Sequence, residues 1–264
     1  MGDRLWVYAT YHCNLACSYC LTESSPSIAE RRTLSAGQVL AAVDEALNLG
    51  LTRVGVTGGE VFMVAGMPEL LVAVADRMPA LVLTNAALFG PRMLDRLAPL
   101  AARDVAFQLS LDSMRAPTND ALRAPGNRDQ VLAAIPALLA RGLRVRIATT
   151  VERQPAQELE EICAMHRSFG IPDSDHVVRP VVSRGRAAVR GMGEALREAD
   201  VLPELTVTAD GVFMHPFAPT VRGGRTDADL LVAGPDASLA EAAGRFLDAV
   251  ERLPAGADVA RNIR

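Results

Sequence analysis

Over the first 183 residues, six strand-like runs alternate with helix-like patterns across short connections, and this rhythm leaves few folds open. Strands separated by amphipathic helices lie side by side in parallel, because each helix returns the chain to the starting end of the sheet. Strands are expected at Leu5 to Thr10, Arg53 to Thr57, Leu81 to Thr84, Val105 to Leu111, Leu143 to Thr150 and His176 to Val182. Ser35-Ala36-Gly37-Gln38 reads as a capping box. Val39, Leu40, Val43 and Leu47 follow at helical spacing, and Gly50 closes that helix. Pro68, Pro91 and Pro155 stand near expected helix starts, where a missing N–H is harmless. Six such units make a partial (β/α)6 TIM-like barrel, an α/β fold open on one side. Chemistry in parallel barrels gathers at the C-terminal strand ends. The loop with three cysteines, Glu60, Thr84-Asn85, Ser110 to Asp112, Thr149-Thr150 and Arg179 all fall there.

After Val182 the rhythm changes. Arg184-Gly185-Arg186-Ala187 opens a connection rich in arginine and alanine. Leu205 to Ala209 and Val212 to Met214 read as a hairpin around Asp210-Gly211, and a helix is expected from Leu239 to Leu253. The chain therefore divides into a barrel, residues 1–183, and a small extension of hairpin plus helix, residues 184–264.

Half of the 264 residues are hydrophobic, enough for one sizeable core. A formal charge of −4 argues against nucleic acid or an anionic membrane as partner. All 27 basic residues are arginine. Without lysine there is no Schiff base to pyridoxal phosphate and no Walker-type phosphate loop. No stretch of 18 uncharged apolar residues occurs, so no membrane span is expected. The N-terminus shows no secretory signal pattern. Four cysteines, three of them crowded within eight positions, do not form a disulfide framework. A cytoplasmic location is expected.

The crowded trio is Cys13, Cys17 and Cys20, in His12-Cys13-Asn14-Leu15-Ala16-Cys17-Ser18-Tyr19-Cys20, with spacing C-x3-C-x2-C. Iron–sulfur clusters normally take four protein thiolates. Three on one loop hold three irons of a four-iron cluster and leave the fourth open to an outside ligand. Zinc, with His12 as fourth ligand, is the competing reading. Zinc sites favour paired C-x2-C units across a longer gap, and His12 beside Cys13 strains a tetrahedron. The fourth cysteine, Cys163, shares one face of an expected outer helix with Leu159, Ile162 and His166, as a small core hydrophobe does.

The cysteine spacing, Tyr19 before the third cysteine, and Gly58-Gly59-Glu60 after the second strand together resemble the radical S-adenosylmethionine (radical SAM) enzymes. The resemblance implies a [4Fe-4S] cluster on Cys13, Cys17 and Cys20, with the SAM amine and carboxylate on the open iron. It implies reductive cleavage of SAM to a 5′-deoxyadenosyl radical, which starts a C–H transformation. It places Tyr19 next to the adenine, lets Gly58 and Gly59 bring backbone close to SAM, and offers Glu60 to its ammonium. Val61 stands where the family often has proline. Leu109-Ser110-Leu111-Asp112-Ser113 is similar to the family's S-L-D run, and strand alternation puts Ser110 and Asp112 on one face. Ser110 is then directed to the SAM carboxylate or ribose. Asp112 faces SAM or substrate, or caps the turn. Arg179 pairs with the SAM carboxylate or with a surface acid. Thr149 and Thr150 touch the ribose or simply suit a strand. Asn85 contacts adenosine or serves a turn.

The tail resembles the twitch or SPASM extension of such enzymes, with His215-Pro216-Phe217 where a cysteine usually follows the hairpin. No auxiliary cluster is expected, and a redox-neutral outcome follows most simply from lacking that electron acceptor. His215 is a hairpin residue or a substrate acid/base. Some radical SAM epimerases return hydrogen from a lone cysteine, which keeps that alternative open for Cys163. The expected substrate is a small natural-product intermediate, because the chain starts at its first strand with no peptide-recognition region ahead of it. A ribosomal peptide is the alternative, and a non-catalytic Fe–S/SAM-binding regulatory protein is the alternative of another class. The implied partner is an external one-electron reductant of flavodoxin or ferredoxin type.

Overall fold

The computed structural model describes residues 2–195 and 203–250. Six strands run parallel in chain order: β1 (Arg4–Thr10), β2 (Arg53–Gly58), β3 (Ala80–Thr84), β4 (Val105–Ser110), β5 (Arg144–Val151) and β6 (His176–Pro180). Helices return the chain between them: α1 (Ala36–Asn48), α2 (Met67–Ala75), α3 (Pro91–Leu97), α4 (Ala116–Leu122) with α5 (Asn127–Leu139), and α6 (Ala156–Ser168). The six expected strands are all present, with ends shifted by at most two residues. Among the described residues the sheet does not close, and β6 lies at its edge.

Local chemistry accounts for the helix ends. Ser35 accepts from the Gln38 backbone while the Gln38 side chain accepts from Ser35, the reciprocal box expected from sequence. The buried stripe of α1 is Val39, Ala42, Val43 and Ala46, whereas Leu47 lies exposed. The expected stripe included Leu40 and Leu47; Leu40 is only half-buried against the core, and Ala42 and Ala46 fill the buried face because small side chains let the helix lie close on the sheet.

Strand alternation divides the core. On β1, Leu5, Val7 and Ala9 face the helices and join the large outer core, while Trp6 and Tyr8 face the concave side. There Trp6 packs with Leu81, Ala106 and Phe217.

The tail completes this sheet. A short helix α7 (Arg186–Val189) follows β6. Then β7 (Thr206–Thr208) pairs in parallel with β1, and β8 (Gly211–Phe213) with β11 (Leu231–Ala233) continues antiparallel. A separate hairpin is made by β9 (Thr220–Arg222) and β10 (Arg225–Asp227). The observed order is β11-β8-β7-β1-β2-β3-β4-β5-β6. The expected hairpin is thus real, and its first strand extends the barrel sheet itself. Helix α8 (Leu239–Val250) matches the expected last helix as far as Val250; the remainder lies outside the described residues.

Candidate active site

Each of the six parallel strands sends a residue to one cavity at its C-terminal end: Tyr8, Thr57, Leu83, Ser110, Thr150 and Arg179. Empty space there, counting the open mouth, is about 1010 Å³. Cys13, Cys17 and Cys20 line the same cavity.

Their loop is irregular and is fastened from both sides. On one side the Ser18 N–H donates to Leu122 O of α4 (2.8 Å). On the other, the Arg186 N–H donates to Cys20 O (2.9 Å), and its guanidinium donates to the carbonyls of Cys17 and Ser24. Gly185 lies so close that a Cβ would sit 2.1 Å from Leu21 O. Nothing in the sequence marked this fastening role beyond a glycine between two arginines.

Gly58 and Gly59 do a related job. A Cβ on Gly58 would meet Thr10 O at 2.2 Å, and one on Gly59 would meet His12 O at 2.2 Å. Gly58 also has a φ of +136°, which side chains rarely adopt. Gly59 and Glu60 donate backbone N–H groups to Thr10 O (2.7 Å) and His12 O (2.9 Å). The glycines let the β2 turn press on the cysteine loop, and both also line the cavity.

Glu60 departs from its expected role. It is fully buried and absent from the cavity wall. Its carboxylate accepts from Thr84 Oγ1 (2.8 Å), Asn85 N (2.8 Å) and Phe62 N (3.2 Å), tying β2 to β3. Burial raises its pKa from the ordinary 4.5 to about 7, against the pull of those donors. Two other expected residues also lie behind the wall. Asp112 accepts from Tyr19 Oη (2.6 Å) and Thr150 N (2.9 Å) and forms an ion pair with Arg123 at 2.8 Å. It sets Tyr19 and Arg123, which do line the cavity. Thr149 points to the outer face, because Thr150 beside it points inward; its hydroxyl donates to Leu111 O (2.8 Å).

Tyr19, Asn85, Ser110 and Arg179 stand on the wall as expected. Asn85 Nδ2 reaches Asn14 Oδ1 (2.9 Å) and approaches Cys13 Sγ at 3.6 Å, so it attends the sulfur end. Sequence reasoning missed Arg123, which ends α4 without any motif. It also missed Phe217, which closes the cavity from the tail while Tyr8 Oη donates to Pro216 O (2.5 Å). His215 is fully buried in that turn, where its Nδ1 accepts from Phe217 N, as a hairpin residue would. Cys163 lies off the cavity wall.

The residues suit a cluster with an anionic ligand. Burial pushes the Cys13 thiol up to about 12 and the Cys17 thiol up to about 11, so thiolates here need cationic metal to form. Leu15 N–H points at Cys13 Sγ (3.4 Å), the kind of donor that tunes a cluster sulfur. Arg179 Nη1 is buried on the wall with no hydrogen-bond partner, and burial works against its charge. A carboxylate such as that of a methionyl group would supply the missing acceptor. Cys163, His166 and His176 form a separate group among the described residues, with one ligand atom from each within 4.8 Å of the others.

An open half-barrel whose strand ends present three loop thiols and an orphaned arginine defines a class: enzymes that combine an iron–sulfur cluster with a small cofactor. The chain belongs to the radical SAM superfamily, whose pattern matches residues 7–165. Its cofactors are accordingly a [4Fe-4S] cluster and SAM. Mycofactocin maturase MftC of Mycolicibacterium smegmatis is 32% identical over 163 residues, 61% of this chain and 41% of that protein. The subtilosin biosynthesis protein AlbA of Bacillus subtilis is 29% identical over 163 residues, 61% of this chain and 36% of AlbA. The chain thus spans less than half the length of these two relatives. In fold it is similar to Streptococcus suis SuiB bound to S-adenosylmethionine, with a TM-score of 0.60 at 20% identity over 69% of this chain and 41% of SuiB. It is also similar to anSMEcpe with bound AdoMet and a peptide, with a TM-score of 0.67 at 12% identity over 93% of this chain and 81% of that one. No described helix is long and apolar enough to cross a membrane.

Proposed function

We propose that this enzyme starts a radical modification of a peptide, with Cys13, Cys17 and Cys20 holding the cluster. Those three thiols would hold the cluster, which would supply the one-electron reduction of SAM that radical chemistry at a C–H bond needs. The chain's own residues position what it acts on. Arg179 offers its unpartnered Nη1 to the SAM carboxylate. The Gly58–Gly59 turn backs the methionyl end, and Tyr19, held by Asp112, offers its ring to the adenosine. Phe217 and Tyr8 exclude water from the inner end of the cavity, which protects a radical from quenching.

The observation that carries the peptide reading is likeness in sequence to peptide maturation proteins. MftC is a maturase, and AlbA serves biosynthesis of a bacteriocin. SuiB, similar in fold, has been solved with its precursor peptide. The expectation of a small molecule keeps one specific support: a GTP 3′,8-cyclase of Ectopseudomonas mendocina is 30% identical over 147 residues. An external flavodoxin- or ferredoxin-type protein is proposed as reductant.

The test is anaerobic reconstitution, reduction with dithionite, and mass spectrometry of 5′-deoxyadenosine with deuterated peptides or deuterated GTP. Deuterium passing from peptide to 5′-deoxyadenosine is the expected result. Transfer from the nucleotide alone would favour the small-molecule reading. A loaded cluster that binds SAM and never cleaves it would favour a binding protein.

A further inference from the structure

On the outer face of the sheet, away from the cavity, α6 lays Cys163 and His166 against His176, the first residue of β6. One ligand atom from each lies within 4.8 Å of the others. Cys163 Sγ is 3.6 Å from His176 Nδ1, and the two imidazole rings stand 4.9 Å apart at 67°.

The surrounding hydrogen bonds settle both tautomers. Thr149 Oγ1 donates its one proton to Leu111 O, so it accepts from His176 Nε2 at 2.8 Å. His176 therefore carries its proton on Nε2 and turns the Nδ1 lone pair toward Cys163. His166 Nδ1 lies 2.9 Å from the carbonyl of Ile171, which only accepts, so that nitrogen carries a proton and the neutral ring has its lone pair on Nε2. His166 is fully buried, and its Nε2 has no hydrogen-bond partner. The nearest carboxylate, Asp173 Oδ1 at 3.8 Å, cannot donate to a lone pair and is already paired with Arg167. Two imidazole lone pairs and a thiol thus converge, each imidazole oriented through its other nitrogen by an oxygen acceptor. That outer support is what metal-ligating histidines show.

We propose that Cys163 Sγ, His166 Nε2 and His176 Nδ1 form a binding site for a transition-metal dication of the zinc type, with Asp173 or water in the fourth position. One sulfur and two imidazoles suit zinc, whereas magnesium and calcium take oxygen ligands. Binding exchanges the Cys163 S–H proton, released to solvent, for a sulfur–metal bond. The ion ties α6 to β6, the edge strand of the sheet among the described residues. Its role is to brace the open end of the sheet rather than to act on substrate, since Cys163 lies off the cavity wall.

The test counts zinc and iron by mass spectrometry in the cluster-loaded protein after exposure to excess zinc and desalting. One zinc per chain is expected. Cys163→Ser, His166→Asn and His176→Asn should each lower zinc at least tenfold while iron is unchanged. A second measurement uses the Cys13→Ala/Cys17→Ala/Cys20→Ala variant, in which Cys163 is the sole thiol. Cobalt(II) should give a thiolate charge-transfer band that saturates at one equivalent and vanishes when Cys163→Ser is added. Zinc should raise the melting temperature of the wild type and not that of Cys163→Ser; a merely structural cysteine would change both curves regardless of zinc. Absence of retained zinc, or zinc that survives all three substitutions, overturns the site. If the triple variant does not fold, the zinc count alone decides.

Discussion

Glu60 puts a carboxyl group where water does not reach, and its ionisation is therefore coupled to folding. Its folded pKa is about 7 against an ordinary 4.5. Between those values the folded protein holds a proton that the unfolded chain has released. The associated stability is complete below pH 4.5, is lost as pH rises to 7, and changes little above it. Its size is on the order of 3 kcal/mol. Denaturant unfolding of metal-free wild type and Glu60→Gln at pH 5 and pH 8 checks this: the wild type should lose stability relative to the variant on going to pH 8. Asp112 makes the opposite case, a charge kept buried by pairing. Its side chain and that of Arg123 are both at least nine-tenths buried. Asp112→Asn should cost about 3 kcal/mol, since it strands the guanidinium. Adding Arg123→Met should recover part of that loss in urea unfolding, and a double variant no more stable than the single would refute the pairing argument.

At the scale of elements, the cysteine loop owes its shape to backbones that touch. The Gly59 Cβ position is blocked by a carbonyl oxygen that belongs to the loop itself, so relief requires moving His12 and with it Cys13. Gly59→Ala should cut iron per chain by more than half after reconstitution. Gly37→Ala in α1 is the control: its Cβ meets only Ser35 Oγ at 4.0 Å, and alanine favours a helix by about 0.5–1 kcal/mol. Arg186→Met removes the bonds to the Cys17 and Ser24 carbonyls and should likewise lower iron content, measured by the same assay. The helices show how far sequence reading reaches. The Ser35–Gln38 box was legible because capping is local. The buried stripe of α1 was half misread, because depth of burial depends on how close the sheet lies.

Across the whole molecule, the tail is part of the barrel's architecture. β7 covers the free edge of β1, Phe217 fills the concave side, and Arg186 fastens the cysteine loop. Removing residues 184–264 should therefore give an aggregating chain that holds little iron, judged by soluble yield and size-exclusion chromatography. A soluble, cluster-loading fragment would instead make the tail an independent unit. The sequence by itself determined the six parallel strands, the thiol loop, and which strand ends face one site, because period-two and helical patterns and turn chemistry act over a few residues. Wall residues Cys13, Cys17, Cys20, Tyr19, Gly58, Gly59, Asn85, Ser110 and Arg179 were legible for that reason. Only the tertiary structure decided that Glu60, Asp112 and Thr149 stand behind the wall, that Arg123 and Phe217 stand on it, and that Cys163 meets two histidines. Those placements depend on the depth at which α4, α6 and the tail pack against the sheet, and packing depth is a property of neighbours far apart in the chain.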